Sequence, residues 1–258
     1  MPVRDLDLLR SVALDAGKIA SGYFGGTYTS EDKPDNAGPV TEADLAVNRM
    51  LEDRLRAARP DYGWLSEETE DSDARLETSR VFIIDPIDGT RNFIEGGRTW
   101  AHSLAIAQEG RVIAAVVFLP MLDRMFAASK GGGATLNGEP IYSSDRVTLP
   151  GATLLSARPA LQPEFWKPGQ VPAVERVYRP SLAYRLALVA QGRYDAMLTL
   201  RDSWEWDIAA GALLLEEAGA TVSDRHGQAL DFNNPRPMLP GVVAAAEGVH
   251  GALRGALA

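Results

Sequence analysis

Four apolar residues, Val81, Phe82, Ile83 and Ile84, run without a break into Asp85-Pro86-Ile87-Asp88-Gly89-Thr90. A short continuous run of branched and aromatic residues that ends in turn chemistry reads as a buried strand. Two carboxylates three positions apart then have to be accommodated at the end of that strand. A hydrogen-bonded aspartate turn explains one of them and the glycine. It does not call for the second, and the alternative is a metal or phosphate site.

At 258 residues the chain has room for one large domain or two intimately packed ones. The formal charge of −9 argues against a nucleic acid polymer as partner, because such a binder needs a basic surface. An acidic enzyme still binds phosphate esters when metal ions supply the positive charge. There is no cysteine, hence no disulfide, zinc–thiolate site or cysteine nucleophile. The first twenty residues alternate charges with leucines and lack the apolar core of a signal peptide. No run approaches the length of a membrane span, so a cytoplasmic protein with no membrane partner is expected.

Apolar positions Leu8, Leu9, Val12, Ala16, Ile19 and Phe24 predict an amphipathic helix over 4–24, ended by Gly25-Gly26. A polar connector follows from Ser30 to Pro39. Thr41 with Asp44 three residues on is a capping-box pattern. It opens a helix with Leu45, Val47, Met50, Leu51 and Leu55 inward, stopping before Pro60. Strands are expected at 81–84, 101–108, 112–119 and 124–128, with Gly110 turning the middle pair into a hairpin. Beyond residue 148 strands at 152–156, 196–200 and 241–246 alternate with helices at 182–191 and 204–218, and a short helix ends the chain. Residues 1–147 therefore read as an α+β half and 148–258 as an α/β half, in helix–sheet–helix layers.

Three acidic stations follow apolar segments: Glu67-Glu68, Asp85 with Asp88, and Asp207 after Trp206. If they converge, their mutual repulsion calls for cations between them. Oxygen ligands without nearby cysteine or histidine select hard ions, magnesium first. Each residue also has a plainer explanation. Asp207 suits the first turn of a helix, Asp44 completes the capping box, and Glu67 would serve as a solvated acid before a loop. Asp88-Gly89-Thr90 resists that treatment, since Gly89 permits close backbone approach and free N–H groups beside a hydroxyl cradle phosphate. His102, His226 and His250 have no partner at metal spacing and read as structural or solvent-exposed. Phosphatases that form an aspartyl-phosphate carry their nucleophile two residues before the second aspartate; here that position is Pro86, which disfavours a covalent route and favours metal-activated water.

Asp85 to Phe93 resembles the D-P-I/L-D-G-T-x-N-F motif of the inositol monophosphatase family. Trp206 to Gly211, followed by Glu217-Ala218-Gly219, resembles its W-D-x-A-A-G…E-A-G motif. Ser66-Glu67-Glu68, Pro39 to Asp44, Lys130-Gly131 and Asn137-Gly138 fit further family elements in order along nearly the whole chain. The resemblance implies a five-layered αβαβα sugar-phosphatase fold, a homodimer, and lithium-sensitive hydrolysis of phosphomonoesters with two or three Mg²⁺ ions. By position, Glu67, Asp85 and the Ile87 carbonyl would hold one ion, and Asp85, Asp88 and Asp207 a second. Glu67 and Glu68 would lie near a weaker third. Thr90, with Glu67 and paired to Asp44, would orient and deprotonate water, while Gly89 and Thr90 N–H groups would bind phosphate.

Substrate elements depart from the inositol phosphatase pattern. Leu200 stands nearest the place of a glutamate that binds ring hydroxyls, although Asp202 would serve if the loop shifts. Pro180-Ser181 replaces Gly-Ser/Thr. Glu205-Trp206-Asp207 looks closer to the 3′(2′),5′-bisphosphate nucleotidase branch. Arg185 falls where that branch has a lysine, Arg201 is a second cation, and both suit a second phosphate, with a surface ion pair as the plainer explanation. Asn92-Phe93 is the inositol-phosphatase form. The expected substrate is a small phosphorylated metabolite: a bisphosphate nucleotide first, then inositol 1-phosphate, then histidinol or sugar phosphates. A regulatory protein-binding factor with little turnover is the reading from another class.

Overall fold

A computed structural model describes residues 2–34 and 38–258. Helix α1 (Pro2–Tyr23) buries Leu9, Val12, Ala13 and Ala16, as the leucine spacing predicts. The expected polar connector is partly a hairpin, β1 (Ser30–Asp32) against β2 (Pro39–Thr41), with its middle outside the described residues. Helix α2 (Glu42–Ala58) starts at the capping box: Asp44 N–H donates to Thr41 Oγ1, and Thr41 N–H donates to Asp44 at 2.9 Å. Val47, Leu51 and Leu55 face the core, but Leu45 is 43% exposed and Met50 only half-buried. The apolar stripe of α2, which packs against α1 and β4, is narrower than its leucines suggest.

Seven strands form the larger sheet: β3 (Gly63–Ser66), β4 (Arg80–Asp88), β5 (Ala101–Gln108), β6 (Arg111–Leu119), β7 (Arg124–Ser129), β8 (Ala134–Leu136) and β9 (Glu139–Ile141). Only the β3–β4 pair is parallel; the rest run antiparallel. A short helix, α3 (Thr90–Ile94), follows β4. The smaller sheet takes β10 (Thr153–Ser156), β11 (Glu175–Val177), β12 (Ala196–Thr199), β14 (Thr221–Ser223) and β16 (Val242–Ala245), in the order β11-β10-β12-β16-β14. β13 (Ser203–Trp204) pairs with β15 (Met238–Leu239).

Helices α4 (Leu182–Ala190) and α5 (Glu205–Glu217) lie between the two sheets, and α6 (Glu247–Ala256) closes the outer face of the smaller one. The layers are thus α1/α2, sheet, α4/α5, sheet, α6: the five-layered αβαβα arrangement. All nine residues of α4 are buried and α5 is apolar almost all round, as a helix with sheets on two sides must be. A Cβ on Gly211 would come within 2.5 Å of Leu186, so the two helices touch through a glycine. At the far end of α5, the Glu217 carboxylate accepts from the Gly131 and Gly133 N–H groups at 2.7 and 2.8 Å, fixing the turn between β7 and β8. One apolar core runs through residues of both sheets and the helices between them.

Candidate active site

The site begins where β4 loses register with β5. Asp85 faces Ser103 and Asp88 faces Ala101, so three steps on β4 match two on β5. That is a β-bulge, which bends the strand and re-aims its side chains. His102, fully buried, faces the extra residue and places Nδ1 2.5 Å from the Pro86 carbonyl. Gly89 then turns the chain with φ +100°, a left-handed conformation that costs glycine nothing and other residues strain. Thr90 starts α3, whose first-turn N–H groups have no partner within the helix.

Asp44 serves two partners with its two oxygens. Oδ2 accepts from the Thr41 backbone and hydroxyl at 2.9 and 2.5 Å, and Oδ1 faces the Thr90 hydroxyl at 3.2 Å. One residue therefore closes the capping box and reaches the Thr90 hydroxyl as well. Thr90 Oγ1 also lies 3.0 Å from the Ile87 carbonyl. Burial pushes the Asp44 carboxyl up to about 6 against the pull of the Thr41 hydrogen bonds.

Asp88 is held from the other half of the chain. The Ser181 hydroxyl and the Ala183 N–H both donate to Oδ2 at 2.6 Å. Ser181 caps α4, accepting from Tyr184 N–H at 3.0 Å, and does so with φ +66°, unusual for a residue with a Cβ. Asp207 stands in the first turn of α5, whose start is anchored by the buried Glu205 carboxylate. Glu205 accepts from Asn233 and Asn234 backbone N–H groups at 2.6 and 2.9 Å, and Arg75 from the other half bonds the same asparagines. Ser103 Oγ donates to the Trp206 carbonyl at 2.8 Å, tying α5 to β5.

Carboxylate oxygens of Asp85, Asp88 and Asp207 all lie within 4.8 Å of one another. Burial, then neighbouring carboxylates, push Asp85 and Asp207 well above the usual carboxylate range. Burial raises Asp88 too, opposed by its bonds to Ser181 and Ala183. Asp85 Oδ1 is buried without a hydrogen-bond partner among the described residues. An orphaned carboxylate oxygen among like charges is costly by itself and suits a hard cation. No histidine or cysteine stands among these oxygen donors, so the set fits magnesium chemistry.

These residues line a cleft of about 290 Å³ together with Glu67, Ile87, Gly89, Thr90, Ser181, Arg185 and Arg201. The structure thus brings together every candidate that the motifs supplied except Glu68 and Asp44, which stand just behind it. Glu67 and Glu68 share the Lys33 ammonium at 2.8 and 2.6 Å. Burial, then Glu67, raise Glu68 to about 7 in spite of that lysine. Sequence reasoning left Lys33 in a connector, and nothing in an isolated lysine there points to the acids it meets. It also passed over Tyr178, whose ring lies 5.6 Å from the Arg185 guanidinium on the cleft wall. Leu200 is buried in the core under the smaller sheet, and Asp202 is half-exposed and paired with Arg225 at 3.3 Å, away from the cleft lining. Among the described residues, neither Arg185 nor Arg201 makes a salt bridge to a carboxylate. No described helix is long and apolar enough to cross a membrane.

Residues 4–257 match the sequence model of the inositol monophosphatase family. An inositol-1-monophosphatase of Rhizobium meliloti is 34% identical over 232 residues, 86% of each chain. The Nus factor SuhB of Pseudomonas aeruginosa is 38% identical over 210 residues, 77% of this chain and 76% of that one. The solved IMPase of Thermotoga maritima superposes with a TM-score of 0.83 at 29% identity, covering 99% of this chain and 96% of that one. With this fold, and with the acidic cluster where the motifs place it, the chain belongs to the inositol monophosphatase family of phosphoric monoester hydrolases.

Proposed function

We propose that the protein is a Mg²⁺-dependent phosphomonoesterase whose substrate is a small metabolite carrying a second anionic group, a 3′(2′),5′-bisphosphate nucleotide in the first place. Asp85, Asp88, Asp207, Glu67 and the Ile87 carbonyl would hold two ions, with Glu68 beside a weaker third. Bound there, magnesium supplies Lewis acidity and neutralises the charge of the incoming ester. The chain's own groups do the positioning. Thr90 turns its hydroxyl hydrogen toward Asp44, which leaves its lone pairs to accept from water. Asp44, with its carboxyl near 6, is poised to take a proton at neutral pH. N–H groups of Gly89 and Thr90 receive the phosphate oxygens, and Glu67 helps to orient the attacking water.

The observation that carries the substrate reading is the pair Arg185 and Arg201. Both face the carboxylate cluster across one cleft without a described carboxylate partner, while the place of a hydroxyl-binding acid is filled by buried Leu200. Magnesium-dependent phosphate release, compared as kcat/KM on 3′-phosphoadenosine 5′-phosphate and on inositol 1-phosphate, tests it. A preference for the bisphosphate is expected. A preference for inositol 1-phosphate would overturn the substrate reading and leave the phosphatase intact. Lithium inhibition and a homodimer belong to the same reading, checked by titration and light scattering.

The 38% identity to a Nus factor favours a second reading, a regulatory factor with little turnover. Absence of magnesium-dependent phosphate release from every phosphomonoester tried, by folded protein, would select it.

A further inference from the structure

We propose that His102 is a positioning residue: by donating its Nδ1–H to the Pro86 carbonyl it fixes the β4 bulge, and with it the relative placement of Asp85 and Asp88. The inference rests on the metal-site reading above.

A bulge takes backbone groups out of the sheet ladder, and each buried one needs another partner. The extra residue lies between the two aspartates, within buried chain, opposite His102. A carbonyl oxygen only accepts, so the imidazole carries its proton on Nδ1. Nε2 then has a bare lone pair, buried and without a partner among the described residues. The ring is packed edge-on against Trp100 at 5.6 Å and beside Phe118 at 6.2 Å. An aliphatic side chain would fill such a slot without stranding a polar atom, so what the imidazole adds is the bond to Pro86. Burial holds the imidazole down to about 4, which keeps it neutral and its tautomer constant near pH 7.

The next residue repeats the arrangement on the opposite face of the sheet. Ser103 Oγ holds the Trp206 carbonyl, immediately before Asp207. Two successive residues of β5 thus grip the two backbone segments that carry the three clustered aspartates.

Calorimetric titration of the full chain with MgCl₂ separates this role from packing. In His102→Asn the amide nitrogen takes the place of Nδ1; in His102→Gln it takes that of Nε2. His102→Asn is expected to bind Mg²⁺ within about threefold of wild type. His102→Gln and His102→Leu are expected to bind about tenfold more weakly or worse, the scale on which partners behind a metal ligand act. Equal affinity in the Asn and Gln variants, whether high or low, would overturn the proposal, and that comparison stands alone if His102→Leu does not fold. No binding of Mg²⁺ by the wild-type chain is a different outcome; it would remove the metal reading itself and this inference with it.

Discussion

The two walls of the cleft are made in different ways. On one, Asp85, Ile87, Asp88, Gly89 and Thr90 come from a single strand end, so covalent geometry and one bulge set their spacing. On the other, Tyr178, Ser181, Arg185 and Arg201 come from two loops and the start of α4, and only packing brings them together. On the function proposed above, the first wall would carry groups that any phosphomonoester needs, and the second would carry groups that tell one ester from another. Tyr178, Arg185 and Arg201 of the second wall can change with the substrate, whereas Ser181, which donates to Asp88, ties that wall to the first.

Four measurements would break or sharpen this contrast. Asp88→Asn removes charge from the contiguous wall and is expected to lower kcat at least about a thousandfold on every substrate, with the circular dichroism spectrum unchanged. Wild-type-like turnover would sink the assignment of that wall. His102 tests the same wall through stability. Its carboxylate neighbours apart, a histidine held near 4 when folded and free at 6.5 when unfolded leaves stability intact above pH 6.5 and erodes it as pH falls toward 4. Relative to His102→Asn, wild type should lose about 2–3 kcal/mol by pH 4 in urea unfolding, at 1.36 kcal/mol per pH unit. A pH-independent difference would contradict the burial of a neutral ring.

Arg185→Met acts on the other wall. It should cost about 10- to 100-fold in kcat/KM for a bisphosphate, and leave p-nitrophenyl phosphate almost untouched. Equal losses on both substrates would erase the division between walls. The smallest effect is expected from Thr41→Ala, about 1 kcal/mol of thermal stability from the lost cap of α2. Because Asp44 shares itself between Thr41 and Thr90, that variant should also shift the acid limb of the activity profile.

The contiguous wall was legible in the sequence because its residues are neighbours there. The strand run 81–84, the aspartates and Gly89-Thr90 can be read in one glance, and the capping box at Thr41 and Asp44 is equally local. The central strands and the helix from Glu205 follow from periodicity and apolar runs for the same reason. What escaped depends on distance. Lys33 meets Glu67 and Glu68 only after a hairpin folds back, and Tyr178 reaches the cleft only once α4 has docked. Leu45 misled because periodicity marks an apolar face without saying how wide its neighbour is. Asp202 looked able to reach the cleft in the linear chain, but Arg225 holds it elsewhere.

The buried position of α4 and α5 has a consequence for the order in which the molecule comes into being. Asp85 and Asp88 leave the ribosome long before Asp207, and Ser181, which holds Asp88, also comes later. Until both helices have slotted between the sheets the carboxylate set is incomplete, so any cation affinity it confers is missing from nascent chains that end before α5. Any ion that binds there then acts as a latch on the completed fold, raising resistance to unfolding by RT ln(1 + [L]/Kd). Cellular magnesium would thereby help to decide how much of this enzyme persists, apart from how fast it works.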